Sequence, residues 1–213
     1  ISRILRGKMV LHNQPVDLIT TIRSALETFK LAAEAKGIQV RFEIAQNPGF
    51  SPLSICVLGD ATRLQQIIWN LLSNGIKFTP PGGLVEIYLE SQADYARIQI
   101  KDTGIGINQQ FLPYVFDYFR QQDGTNTRKF GGLGLGLAIV RHLTELHGGT
   151  VSADSLGEDL GATFTVQLPL IKSELQSPSA PNPSTEPVDL KGLRVLVIDD
   201  QFDQDLLESN DNL

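Results

Sequence analysis

Asn70, Asn74 and Lys77 follow one another at intervals of four and three residues inside an apolar-periodic stretch. On a helix turning about 100° per residue they lie within about 60° of one another, apart from the sector of Leu64, Ile67, Ile68, Leu71 and Leu72. Asparagine carbonyls are hard oxygen ligands suited to Mg2+, and lysine pairs with phosphate oxygens as a mobile point charge. The triplet is also the pattern of an exposed polar helix face. Gly75 stands between them, where glycine costs a helix about 1 kcal/mol relative to alanine, so close packing or ligand approach is expected there.

Two glycine-rich stretches add to this chemistry. DTGIGI (102–107) places Asp102 at the end of an alternating strand, with Gly104 and Gly106 after it. An ionised carboxylate only accepts hydrogen bonds, so it suits the exocyclic amino group of adenine; an ordinary Asp-Gly turn has the same residues. GGLGLGLAI (131–139) runs from Gly131, Gly132, Leu133, Gly134 and Gly136 into an apolar helix. Such a loop offers free backbone N–H groups and the positive end of a helix dipole to phosphate, or it is a flexible turn. Phe116, Phe119, Arg120, Arg128 and Lys129 precede it, either as anchors and cations of a mobile segment or as core aromatics and a solvated basic loop. Thr163 is a sheet residue or a partner for a purine. His12, His142 and His147 read as structural, and no Cys/His pair has metal-ligand spacing.

Other phosphate loops are excluded. The chain has no G-x-x-x-x-G-K-[ST], and G-x-G-x-x-G fails at its sixth position, Leu137 or Gln109.

The elements that must position these residues are readable in order. Residues 1–7 resemble the end of a helix, and 9–18 contain a short strand with His12 in it. Asp17 caps a helix over 18–36 that Gly37 ends. A strand at 38–45 and a Pro/Gly/Ser loop at 47–52 precede a second helix, opened by Asp60 or Thr62 and ended after Phe78 by Pro80–Gly83. Strands at 84–90 and 95–102 form a hairpin, followed by a short helical piece at 108–114. A helix over 134–147 and strands at 149–155 and 160–168 complete the domain.

With 213 residues, 41% hydrophobic and 20% charged, the chain has the composition of a globular protein with one sizeable domain and an appendage. A net charge of −6 opposes nucleic acid and acidic membrane surfaces as partners. Cys56 is the sole cysteine, so no intrachain disulfide forms and a cytoplasmic setting fits. No apolar run approaches the roughly 18 residues of a membrane span, although a parent protein could be anchored elsewhere. SELQSPSAPNPSTEP begins a Pro/Ser-rich linker over 171–190.

WNLLSNGIKFTPPGG, KDTGIGI, VFDYFRQ, GGLGLGLAIV and GATFTVQLPL together resemble, in order and spacing, the catalytic ATP-binding domain of sensor histidine kinases. The likeness covers about 15–170, and a domain of 10–170 is expected. It implies a Bergerat-type α/β two-layer sandwich, with a mixed sheet of about five strands and three helices on one face. It implies ATP and Mg2+ as cofactors: Asn74 as metal ligand with Asn70 assisting, Lys77 on phosphate, Asp102 on the adenine amino group, and Gly104 and Gly106 shaping the pocket. Residues 117–131, with Arg128, resemble the ATP lid; Gly132, Leu133, Gly134 and Gly136 resemble its phosphate-binding hinge, and Thr163 the adenine-side threonine.

ATPase relatives generally carry glutamate where this chain has Asn70, and an amide cannot act as general base for water. The expected activity is therefore donation of the γ-phosphoryl group to a histidine. No histidine here has the family's phosphoacceptor context, so the acceptor lies on a dimerisation hairpin of which residues 1–9 resemble only the end. Gly75 stands where alanine is usual. LRVLVIDDQ, with Asp199 and Asp200, resembles the start of a response-regulator receiver over 191–213, implying a hybrid kinase. The fragment is expected to be monomeric and its parent a homodimer. A nucleotide-sensing module without phosphoryl transfer, or an ATPase of the same superfamily, are the other readings.

Overall fold

The computed structural model describes residues 9–45, 55–121 and 133–171. Its main sheet has five strands: β2 (Gln39–Ile44), β4 (Leu84–Gln92), β5 (Tyr95–Asp102), β6 (Thr150–Asp154) and β7 (Ala162–Pro169). Their order is β2-β4-β5-β7-β6, with β2 parallel to β4 and every other pair antiparallel. A separate antiparallel pair joins β1 (Gln14–Asp17) to β3 (Cys56–Gly59). Helices α1 (Leu18–Lys36), α2 (Ala61–Phe78) and α3 (Gly136–Leu146) cover one face of the main sheet. This is the expected two-layer α/β sandwich.

Alternation in the strands decides which face is covered. Val85, Ile87 and Leu89 of β4, and Ala96, Ile98 and Ile100 of β5, are buried towards the helices. Their neighbours Glu86, Tyr88 and Glu90, then Arg97, Gln99 and Lys101, form a polar face without a helix. On α2 the five aliphatic residues of the projected apolar sector are each no more than 1% exposed. Burial of each such side chain contributes roughly 1.5–3 kcal/mol, so α2 is the helix most firmly seated on the sheet.

Local signals set the helix ends. The Asp17 carboxylate accepts from the Ile19 and Thr20 amides, and Gly37 ends α1 in the left-handed region at φ 68°. Asp60 caps α2 by accepting from Arg63 N at 3.2 Å. Three expectations change. The first strand is only four residues long, so His12 precedes it; its amide donates to Asp60 Oδ2 at 3.2 Å. The four-residue β3 is too short to alternate visibly and was not anticipated. The helical piece at 108–114 shrinks to one 3-10 turn, Leu112–Tyr114.

His147 has the structural role expected of it, although it lies just past α3. Its Nε2 accepts from Asp60 N at 3.0 Å, so Nδ1 carries the proton and donates to Leu143 O at 2.7 Å. The ring thereby ties the end of α3 to the start of α2. A methyl group at Gly59 would meet His147 Cδ2 at 2.5 Å and Leu64 Cδ1 at 2.9 Å. Gly59→Ala should therefore destabilise the domain by about 1–3 kcal/mol in urea unfolding; an unchanged midpoint would show that the ring is not held there.

Candidate functional site

The polar stripe of α2 does not stand clear of the core as the helical projection suggests. Asn70, Asn74 and Lys77 are half-buried along the seam between the apolar face and solvent. Asn70 Nδ2 is fully buried and has no hydrogen-bond partner. Its Oδ1 lies 3.7 Å from where a Cβ on Gly136 would sit, so the amide faces the first turn of α3. Leu135, at the N-cap of that helix, provides no side-chain hydrogen bond. The leading N–H groups of α3 thus lack a side-chain cap, and this end of the helix carries the positive end of its dipole. Lys77 Nζ lies 4.8 Å from the Phe78 ring centroid, and burial pulls its ammonium below the ordinary lysine value. Gly75 packs on the sheet: a Cβ there would stand 3.3 Å from Val85 Cγ1, so an alanine would need Val85 to give by a few tenths of an ångström.

Asp102 ends β5 on the helix side of the sheet and is 7% exposed. Oδ1 accepts from Gly104 N at 2.8 Å and Ala162 N at 3.3 Å. Burial raises the carboxyl above its ordinary value and outweighs the two amides, which act the other way. The loop that follows is tied to the end of α2 and to the loop between β6 and β7. Ile105 N donates to Phe78 O at 3.2 Å, Asp159 N to Ile105 O at 2.7 Å, and Gly161 N to Gly104 O at 3.0 Å. Gly104 is needed because a Cβ would stand 2.7 Å from Phe78 O. Gly106 bridges to Glu158. The C-terminal turn of α2 and the Asp102 corner are therefore joined through one backbone hydrogen bond.

The chain on either side of 122–132 is pinned together. Phe119 N donates to Gly134 O at 3.0 Å, and Gly134, at φ 64°, would place a Cβ 2.7 Å from Arg120 O. Its freedom is used for this turn. Phe116 packs edge-on to Phe164 at 6.3 Å, whereas Phe119 is 65% and Leu133 72% exposed. Phe116 is thus an anchor at the base of the segment and Phe119 is not. Arg120 stacks over the Tyr114 ring at 4.4 Å and pairs with Asp117 at 3.4 Å.

Not all expected site residues converge. Thr163 pairs with Lys101 and Asp154, on the face opposite Asp102. Ala162 is the residue beside the carboxylate. One step along a strand reverses the side chain, so Thr163 is not brought to the site. Arg128, Lys129, Gly131, Gly132, Asp199 and Asp200 lie outside the described residues, as do the linker and the receiver-like stretch after residue 171. Sequence reading missed Lys36, whose Nζ donates to Ile76 O at 2.6 Å and Lys77 O at 2.7 Å. A lysine in the last turn of α1 signals a favourable helix end, but not that it serves a different helix.

The raised carboxyl has a pH signature. Because the folded protein favours protonated Asp102, its contribution to stability is fully present below the unfolded value and is lost as pH rises through the folded one. Asp102→Asn keeps an acceptor for Gly104 and Ala162 without the charge. In urea titrations from about pH 4 to about pH 7, the ligand-free variant should gain stability relative to wild type as pH rises. A constant difference would show that Asp102 is not penalised by burial.

Residues 59–172 match the family model described as histidine kinase-, DNA gyrase B-, and HSP90-like ATPase. The chain is 40% identical over 198 residues to hybrid signal transduction histidine kinase D of Dictyostelium discoideum, covering 81% of this chain and 13% of that protein. It is 37% identical over 187 residues to circadian input-output histidine kinase CikA of Synechococcus elongatus, covering 87% of this chain and 24% of that protein. Among solved structures, full-length ShkA in complex with AMPPNP superposes with a TM-score of 0.67 at 30% identity, over 79% of this chain and 33% of that one. Mycobacterial sensor histidine kinase MprB superposes with a TM-score of 0.62 at 28% identity, over 74% and 97% of the two chains. The chain spans less than a quarter of these curated relatives, 13% and 24% of their lengths. The family match takes in more than half of its residues, including α2, the Asp102 corner and the start of α3, and the chain belongs to the histidine kinase-, DNA gyrase B- and HSP90-like ATPase family.

Proposed function

We propose that residues 10–170 are the catalytic ATP-binding domain of a two-component sensor histidine kinase of hybrid type. The domain donates the γ-phosphoryl of Mg·ATP to a histidine on a dimerisation hairpin outside this chain. The observation that carries this reading is the α3 start, which no side chain caps, beside Asn70, whose Oδ1 faces Gly136 and whose Nδ2 is buried without a partner. Both unpaired groups are N–H donors and suit an anionic ligand, while the Asn70 oxygen is the atom that suits its cation.

Asp102, with its Oδ1 engaged by two backbone amides, directs its remaining acceptor capacity to the adenine amino group, over a floor shaped by Gly104 and Gly106. Asn74, with Asn70 one turn earlier, offers amide oxygens to the cation, and Lys77 pairs with phosphate. No group of three His, Cys, Asp or Glu side chains able to hold a metal occurs among the described residues. Mg2+ accepts few protein ligands and takes the rest from phosphate and water, so two asparagine oxygens suit it. When bound, its chemistry is neutralisation of triphosphate charge. Gly134, Gly136 and Leu133, with Gly132 and Arg128, border the phosphates at the base of a lid over 117–131.

The acceptor imidazole nitrogen forms a bond to the γ-phosphorus as the bridging P–O bond breaks, and ADP leaves with the electron pair. The protein contributes position and charge. Asn70 cannot deprotonate water, which disfavours the ATPase reading. A receiver over 191–213, joined by a linker over 171–190, would take the phosphoryl group onward. The domain works in the cytoplasm; the fragment by itself is monomeric and its parent a homodimer. No helix among the described residues is long and apolar enough to cross a membrane.

Calorimetric titration with a non-hydrolysable ATP analogue should give binding that Mg2+ strengthens. Asp102→Ala should weaken it by about tenfold to a hundredfold, the worth of a charged hydrogen bond. Absence of binding by folded wild type overturns the reading. With labelled ATP, a supplied hairpin carrying the acceptor histidine should take the label, with little phosphate release in its absence. Steady phosphate release without an acceptor would favour the ATPase reading instead.

A further inference from the structure

The last carbonyls of α2 can be accounted for one by one. Gly75 O accepts from Thr79 N at 3.1 Å, and Phe78 O accepts from Ile105 N at 3.2 Å. Between them, Ile76 O and Lys77 O both accept from Lys36 Nζ, at 2.6 and 2.7 Å. A helix end leaves such carbonyls without partners inside the helix, and a cation is the donor that best matches the negative end of its dipole. Here the cation comes from another helix, forty residues away in sequence. Burial pulls the Lys36 ammonium below its ordinary value, because desolvation disfavours the charged form.

The backbone from which Lys36 reaches is fixed without help from its side chain. Gly37 caps α1, Gly37 O accepts from Gly82 N at 3.0 Å, and Gln39 N donates to Gly83 O at 2.9 Å. The ammonium therefore holds the α2 end from a rigid bracket. That end carries Lys77, and its next carbonyl, Phe78 O, holds Ile105 in the loop after Asp102.

We propose that Lys36 is a positioning residue for the nucleotide site, clamping the C-terminal turn of α2 so that Lys77 and the Gly104–Ile105 corner keep one geometry. The assignment rests on the ATP-binding reading above. It extends the site to a side chain on α1 that touches neither adenine nor phosphate.

Lys36→Met removes the donor and leaves both carbonyls unpaired. Lys36→Arg keeps a cation with several N–H donors. Lys30→Met, on the exposed surface of the same helix, controls for net charge. All are compared at a temperature where circular dichroism shows them fully folded. In the ligand-free protein, amide exchange at Ile105 should be roughly tenfold faster in Lys36→Met, the loss expected when a charged hydrogen bond no longer fixes the turn. It should return towards wild type in Lys36→Arg. Affinity for a non-hydrolysable ATP analogue with Mg2+ should fall about tenfold in Lys36→Met and recover in Lys36→Arg, with Lys30→Met unchanged. Wild-type exchange at Ile105 in Lys36→Met overturns the inference, as does an affinity loss that Lys30→Met reproduces. If wild type itself fails to bind nucleotide, the ATP reading falls, and exchange at Ile105 alone decides whether Lys36 holds the corner.

Discussion

The seating of α2 on the sheet is the contact on which the rest of the molecule depends. Leu64, Ile67, Ile68, Leu71 and Leu72 bury one side of the helix in the core against β4 and β5, and this fixes where both of its ends must lie. At the start, Asp60 meets the His147 ring at the close of α3. At the end, Phe78 O meets the loop after Asp102. One hydrophobic contact thus sets the distance between a polar stripe, a buried carboxylate and the start of another helix. A shift of α2 would misplace all three together.

The site built on this frame is costly to the empty protein. Asp102 is desolvated beyond what two backbone amides offset, and Asn70 holds its Nδ2 buried without a partner. Unsatisfied polar groups of this kind typically cost about 1–3 kcal/mol each. A ligand that supplies the missing partners recovers that cost on binding, which favours the bound state. The rigid parts of the corner are backbone: Gly104, Ile105 and Gly161 are locked by main-chain bonds that no side-chain change removes directly.

The α2 end shows the same logic in a cheaper form. Lys36 satisfies two carbonyls at the end of α2, and its contribution lies in fixing the geometry of that turn. This separates it from the aliphatic core, where each residue acts through burial.

Much of this was legible in the chain itself. The aliphatic spacing of α2, the caps Asp17, Gly37 and Asp60, and the alternation of β4 and β5 are local patterns, and the helices and strands lie close to where those patterns put them. The candidate residues Asn70, Asn74, Lys77 and Asp102 were legible too, as residue types at meaningful spacings. Three features were decided only by tertiary structure. Strand register put Thr163 on the far face and Ala162 beside Asp102, because one residue along a strand reverses the side chain and no local pattern reports the pairing. Packing turned a polar stripe that looked detached into a half-buried seam, because α3 comes down beside Asn70. Lys36 could not be assigned from its own helix, because its partners are carbonyls that every residue carries and only the fold chooses which pair it meets. Sequence determined the elements and their chemistry, since these depend on neighbours within a turn or two. Tertiary structure determined which groups face each other, since that depends on contacts between segments far apart in the chain.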